Sequence, residues 1–502
     1  MNSTSFNVLT ESWIPVIDLD GSRDELGILP CLQRAHELRE IRDPTPIIEF
    51  GIYRLLVAFV LDAMILADHR PELYLDLEAV IDIGGFDTRL FEDYTTQCGD
   101  VFDLFDPERP FLQTSMDGGK PKPLAGMFPA VPSGTNVGHW YHNPEDDLRV
   151  PAKEAARLLT TIAPFMTAGG AGLSPSINGA PAIYALPLAD SLFNTIVLNI
   201  PLDLDLDSGD GVVAWRSKRS PGSERTQATS LESLTWRPRR IQLIPKSEDD
   251  GTVYVREMKF EKGDSTRLNW IDASLAYRYS GDKVTPIRMR ENRAPWRDAG
   301  PLLLLDQAQH GQGERKIAFR RPAVVNQAFK ISESGEPFDF QFYGMRTDMK
   351  MKVFEWAKSK LSVPANLGRS TTLGSRVHEE LDHAEQIAFA LRSSIKLLFP
   401  REGSSNKQAL GNIAARCERA FWLRLEPSFH PLMHAFAALD PDATDDPELI
   451  AATAKDWRDS IRDLAREQLE LAVEDMDADS DALERQVRAR ARLNNSIRKV
   501  FS

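Results

Sequence analysis

Leu361-Ser-Val-Pro-Ala-Asn-Leu-Gly-Arg-Ser-Thr-Thr-Leu-Gly374 divides the chain into two textures. Downstream of it Gly and Pro thin out, and apolar residues recur with a helical period. Four helices are predicted there: Ser375–Phe399, Lys407–Leu425 with an extension near His430–Leu439, Pro447–Val473 and Asp481–Val500. Turn residues mark the breaks at 400–405, 440–446 and 475–480. Helices this long with short connections pack as an antiparallel bundle. Upstream, short helix-like and strand-like stretches alternate without a fixed period. The predicted fold class is therefore α+β, with a large irregular mixed α/β domain over 1–364 and an antiparallel four-helix bundle over 365–502.

Within 1–364, helices are predicted at Leu32–Arg42, Ile47–Asp68 and Ala152–Ile162. Strands are predicted at Ser191–Ile200, Arg240–Ile244, Thr252–Phe260 and Leu302–Leu305. The opening Asn7-Val-Leu-Thr-Glu-Ser-Trp-Ile-Pro-Val16 reads as a short strand with Trp13, Ile14 and Val16 in a core. Pro15 suits an edge or a first strand position there, because it donates no ladder hydrogen bond. Ser115–Gly138 is almost all loop chemistry, dense in Gly and Pro. Loops of that length are usually functional or disordered.

At 502 residues, 42% hydrophobic and 27% charged, the composition is globular, with length for two or three domains. The most apolar stretch, Ile47–Leu66, is interrupted by Glu49, Arg54 and Asp62, so a buried helix is expected there rather than a membrane span. No signal-peptide pattern is read at the N-terminus. Cys31, Cys98 and Cys417 lie far apart without a CxxC pair, which fits a reducing cytoplasm and predicts neither disulfides nor a zinc site. The net charge of −14 opposes nucleic-acid binding, but the charge is unevenly placed. Trp215–Lys246 is basic, 440–481 is acidic and Arg485–Lys499 is basic again. Each such run is either a solvated face or a binding surface.

No specific catalytic constellation is present. His378-Glu-Glu-Leu-Asp-His383 places its histidines five apart. That puts them about 140° round a helix from each other, not on one metal-binding face. Exposed polar residues are expected instead. Asp203–Asp210 has a calcium-loop flavour without the closing Glu, so a solvated turn is expected. Gly169-Gly-Ala-Gly172 lacks the Lys-Ser/Thr of a phosphate loop. Such glycines serve either a tight turn or close backbone approach to a ligand.

An ordered series of motifs adds a resemblance. It runs from Trp13-Ile-Pro-Val16 through Leu32–Ile41, Ile52–Phe59 and Phe102-Asp-Leu-Phe-Asp-Pro-Glu-Arg-Pro-Phe-Leu-Gln113. It continues with Ser133-Gly-Thr-Asn136, Leu234-Thr-Trp-Arg-Pro-Arg-Arg-Ile241, Arg293-Ala-Pro-Trp-Arg-Asp298 and Gly344-Met-Arg-Thr-Asp348. Together these resemble CasA, the large-subunit family of the type I-E CRISPR complex Cascade, and they span nearly the whole chain. There are two departures. Pro245-Lys-Ser-Glu-Asp-Asp-Gly251 stands where some relatives carry a CxxC pair, and His139, followed by Trp140, stands where a relative has an aromatic.

The resemblance implies a non-catalytic subunit of an antiviral surveillance complex, without metal or cofactor and without a membrane partner. Its implied partners are the other Cascade subunits, the 5′ handle of the guide RNA, target duplex DNA and a helicase-nuclease. Its implied role is to recognise a short protospacer-adjacent motif and help open the duplex. The residues it points to for DNA are Gly169, Gly170 and Ala171, Lys259 with Lys262 as competitor, and Asp348, Met349 and Lys350. Met349 is either a wedge between base steps or a core residue. Ser133, Gly134, Thr135, Asn136, His139 and Trp140 belong to an anchoring loop. On residue spacing alone, Arg485, Arg488, Arg492 and Lys499 share one helix face and are candidates for a displaced strand. Two other classes stay open: a scaffold that binds protein only, and an unrecognised hydrolase.

Overall fold

The computed structural model describes residues 4–67, 77–124, 148–169, 172–202, 211–248, 251–306, 309–310, 317–331, 336–348, 353–399, 404–474 and 480–502. Two compact units result. The first holds residues 1–291, 311–331 and 339–361, and the second holds 292–310, 332–338 and 362–502. The second therefore takes in two segments upstream of residue 365, which helical periodicity alone does not detect.

The first unit opens with a three-stranded antiparallel sheet of β1 (Ile14–Asp18), β2 (Arg23–Leu26) and β3 (Leu38–Ile41). The strand β1 is central, not an edge. Pro15 fits because it pairs with Glu25 on one side only, and the ladder to β3 begins at Val16. Trp13 is fully buried, and its indole N–H donates to Val8 O at 2.8 Å. The helix predicted over Leu32–Arg42 is corrected. A short helix, Ile28–Gln33, precedes β3, because Leu38 and Ile41 are buried as strand residues on β1.

Helix α1 (Pro46–Leu66) is buried on nearly every face from Ile47 to Ala63. Its three charges are tolerated because each finds a partner. Arg54 meets Asp272 at 2.7 Å. Asp62 accepts from Tyr94 Oη and from Arg216, both at 2.6 Å. Glu49 accepts from Tyr343 Oη and Lys358 Nζ, both at 2.5 Å. Gly51 has no room for a side chain, since a Cβ there would lie 2.7 Å from Thr160 O. Phe50 stacks on Tyr184, with ring centroids 4.5 Å apart.

Tyr184 begins β4 (Tyr184–Leu188). The strand predicted at Ser191–Ile200 is instead a helix, Leu192–Leu198. Ser191 caps it by accepting from Asn194 N at 3.2 Å, and a continuously apolar run suits a buried helical turn as well as a strand. A long antiparallel ribbon follows, β5 (Arg239–Ser247) on β6 (Val253–Lys262). Across it Arg239 stands opposite Lys262, and Gln242 opposite Lys259. The far edge of β6 is covered by Lys122–Pro123 and Val150–Pro151. Another three-stranded sheet has the order β8–β7–β4, with β7 at Pro337–Thr347 and β8 at Val353–Pro364.

The second unit is built on α2 (Thr371–Ile395), α3 (Ser404–Ala437), α4 (Lys455–Glu474) and α5 (Ser480–Val500). Side-chain pairs give their directions. Arg424 meets Glu467 while Phe429 meets Trp457, so α3 and α4 are antiparallel. Arg490 meets Glu470 while Arg462 lies over Phe501, so α4 and α5 are antiparallel too. Pro427 and Pro431 sit inside α3, which runs through the predicted break near Leu425. Burial of Phe429, Leu432, Met433 and Phe436 keeps this stretch helical. The strand predicted at Leu302–Leu305 is a π-type turn, Gly300–Leu304. It packs closely on α2: a Cβ on Gly374 would meet Leu304 O at 2.7 Å.

The expectation of exposed residues at His378–His383 is also corrected. Glu380 is 1% exposed and accepts from both Arg458 Nε and Arg458 Nη2. Burial acts to raise its carboxyl pKa, and His383 and Arg458 together outweigh it and hold the carboxyl below its ordinary range. No helix among the described residues is long and apolar enough to cross a membrane.

Candidate nucleic-acid interface

The glycine loop leaves the first unit's core after Met166 and returns at Ser176, whose N–H donates to Met166 O at 2.8 Å. Gly169 is buried, and Gly172 has φ +79°, a conformation that suits Gly. Gly170 and Ala171 lie outside the described residues. Beneath the loop sits Arg239, the first residue of β5, only 2% exposed. One guanidinium nitrogen donates to Thr167 O at 2.9 Å, and the other donates to Ser174 O. A single buried side chain thus holds both stems of the loop. Burial brings the Arg239 pKa down to about 10. Its positive charge is balanced by carbonyl dipoles, and among the described residues no carboxylate pairs with it.

Register then separates the two lysines. Lys262 is exposed and stands directly across the ribbon from Arg239. Lys259 is three residues away, half-buried, and its ammonium donates to Met116 O at 2.9 Å. The corner beyond Lys262 is tight. A Cβ on Gly263 would lie 2.3 Å from Arg237 O. Asp264 next to it is almost fully buried and accepts from Gly222 N at 2.9 Å and from Arg219. Burial acts to raise the Asp264 carboxyl pKa, and the Arg219 guanidinium outweighs it and holds the carboxyl below its ordinary range.

Asp348 ends β7's side of the chain and is half-buried; Met349 and Lys350 lie outside the described residues, as do Ser133, Gly134, Thr135, Asn136, His139 and Trp140. Asp203–Asp210 lies outside them as well. The second unit holds α5 separately. There Arg488 pairs with its own Glu484 at 2.5 Å, and Arg492 and Lys499 are exposed. Arg485 is half-buried and donates to Leu398 O at 3.1 Å, so it fastens the helix.

The residue that sequence reasoning missed is Arg239. Its signals were membership of the basic run Trp215–Lys246 and of the Leu234–Ile241 motif, in both of which the arginines look interchangeable. Groups of three or more His, Cys, Asp or Glu suited to a metal are absent among the described residues.

The family model described as CRISPR-associated protein Cse1 matches residues 7–468. The CRISPR-associated protein CasA/Cse1 of Thermus thermophilus is 26% identical over 499 residues, covering 92% of this chain and 91% of that protein. The Cse1 structure from Thermobifida fusca superposes with a TM-score of 0.75 at 20% identity, covering 99% and 98% of the two chains. A chain of a CRISPR RNA-guided surveillance complex superposes with a TM-score of 0.77 at 18% identity, covering 98% and 99%.

Proposed function

The chain belongs to the CRISPR-associated Cse1 family, and from that premise we propose that it is the large, non-catalytic subunit of an RNA-guided surveillance complex in the cytoplasm. In this reading it recognises a short motif flanking the target in duplex DNA, promotes strand opening and receives the helicase-nuclease. The 133–140 loop seats it near the 5′ handle of the guide RNA and the other subunits. Guide pairing then supplies most of the sequence specificity, a division of labour known for another effector class.

The observation that carries the reading is the pairing of an exposed cation with an anchored glycine loop. Arg239 fixes the loop's stems, and Lys262 stands exposed across from it. Backbone N–H groups and one lysine suit a narrow groove with a degenerate base pattern. The net charge of −14 works against long-range attraction, so flank-specific binding is expected only in the assembled complex.

Co-purification with the other subunits and guide RNA, followed by titration with duplexes of varied flank, tests this. Salt-dependent, flank-dependent binding supports it. Assembly without any duplex binding would leave a protein-only scaffold, and metal-dependent cleavage of DNA by the chain would make it a hydrolase. Within the same reading, Met349 is the wedge. Met349→Gly should slow opening of a matched duplex and barely change binding to one already mismatched at its first base pairs; equal losses on both would indicate a folding or contact defect and remove the wedge assignment.

A further inference from the structure

A cleft of about 280 Å³ begins where the glycine loop ends, lined by Ser174 to Gly179, Thr266 to Trp270, Tyr277, Val284 to Pro286 and Arg288. Its chemistry is one-sided. Among the described residues lining it none is acidic, while Arg267 and Arg288 both contribute. Arg267 is spent on Glu224 at 2.9 Å. Arg288 is half-buried, and its Nε is buried without an acceptor. The indole N–H of Trp270 is likewise buried without an acceptor. Asn178 uses its amide N–H groups on Tyr184 Oη at 3.2 Å and Asp272 at 3.0 Å, leaving Oδ1 as the one idle acceptor.

The larger cavity in this unit, about 1000 Å³, is different. There Arg54 is paired with Asp272 and Arg225 with Glu232, so those cations are already used; Trp270 lines both spaces, and Arg288 lines only the cleft. What sets the cleft apart is that two idle N–H donors line it together with a guanidinium that no carboxylate compensates, an arrangement that suits an anion with several acceptor oxygens. Burial lowers the Arg288 pKa with no opposing carboxylate, which fits a cation awaiting its partner.

We infer that this cleft binds a backbone phosphate of nucleic acid, with Arg288 and the Trp270 indole N–H as its donors. The inference rests on the duplex-binding reading above and adds a contact that fixes position without reading sequence. Location supports it. Ser174, which lines the cleft, is the residue whose carbonyl Arg239 holds at the end of the glycine loop. Duplex DNA carries a charge about every 1.7 Å along its axis, so a duplex lying on that loop brings phosphates to the cleft.

The test uses the assembled complex with Arg288→Gln, Arg288→Lys and Trp270→Phe, titrated with target duplex over a salt series. Arg288→Gln should lower the slope of log affinity against log salt by about 0.9, one phosphate's share, with the ranking of flanks unchanged. Arg288→Lys should keep the slope and lose affinity. Trp270→Phe should weaken binding more than about 10-fold, as for one hydrogen bond to a charged group. A parallel titration with guide RNA separates the sources. A slope change confined to guide RNA assigns the phosphate to the guide, and one confined to the duplex assigns it to the target. Unchanged slopes in both, whether or not the variants melt earlier, would overturn the inference. No duplex binding by the unaltered complex would instead fail the reading on which it rests.

Discussion

The basic run at 215–246 and the basic helix at 485–499 look alike in sequence and differ in what they do with their charge. In the first, Arg216, Arg219, Arg225, Arg240 and Lys246 each meet a carboxylate. Arg237 and Arg239 turn inward to backbone carbonyls. In the second, Arg488 pairs only with its neighbour Glu484, both more than half exposed, and Arg492 and Lys499 are exposed. Positive charge in a sequence is available to a polyanion only where no acid or carbonyl has already claimed it. The first run, the exposed Lys218 aside, therefore holds the fold together; in the second, Arg485 and Arg490 do the same while Arg488, Arg492 and Lys499 are surface.

The strongest way to break that contrast is at the buried end of the scale. Arg54 and Asp272 are 3% and 4% exposed at the side chain. Removing one partner leaves the other charge buried and uncompensated, which costs about 3–5 kcal/mol. Asp272→Ala should lower the urea midpoint of the first unit accordingly. The pH dependence has a definite sign. Burial acts to raise the Asp272 pKa, and Arg54 outweighs it, leaving the folded value lowered. Stability from this carboxylate is thus present above the unfolded value near 3.9 and lost as pH falls through the lower folded one. The gap between the protein and Asp272→Ala should be full at pH 7 and narrow progressively below about pH 4. A gap that stays constant down to pH 2 would mean the pair contributes by packing alone.

Next in size is Arg239. Its loss leaves Thr167 O and Ser174 O short of a donor, at about 1–3 kcal/mol. Arg239→Met should speed hydrogen exchange across the loop stems, 167–169 and 172–174, more than elsewhere in the unit. Uniform acceleration would show a general loss of stability and remove Arg239 as the loop's anchor.

What the sequence disclosed follows from these same distances. The long helices after 370 were legible because their apolar period repeats for five turns or more, and local rules suffice. The helix at Leu192–Leu198 and the π-type turn at Gly300–Leu304 were not, because short buried apolar runs have no distinguishing period. The glycine loop stood out by composition, yet nothing local showed that Arg239, some 70 residues on, lies beneath it. Its neighbours Arg237 and Arg240 have the same side chain and different surroundings: Arg240 reaches Glu261 at 2.8 Å, while Arg237 reaches Ser217 Oγ at 3.2 Å. Pairing across β5 and β6 also separates Lys259 from Lys262, which the motif could not.

The two lysines sharpen the comparison further. Lys262→Ala in the assembled complex should lower the salt slope of duplex binding by about 0.9. Lys259→Ala should leave that slope alone and cost about 1 kcal/mol of stability, since Met116 O loses its donor. The reverse pattern in titration and thermal melting would put Lys259 in the groove and make Lys262 an ordinary surface residue.

The smallest effect on stability is expected on α5. The Arg488–Glu484 pair is exposed on both sides and spaced i, i+4. Such pairs contribute about 0.3–0.5 kcal/mol, so Arg488→Ala should barely move the melting temperature. Arg485→Ala should cost more, because its Nε holds Leu398 O at 3.1 Å. Binding should separate from stability. Replacing Arg488, Arg492 and Lys499 together removes three cations from a surface that the fold does not need. If a displaced single strand lies there, its salt slope should fall by about 0.7 per cation while melting hardly changes. A lower melting temperature with an unchanged slope would reverse the contrast: α5 would then use its charge as the 215–246 run does, for the fold, and the strand would have to be sought elsewhere.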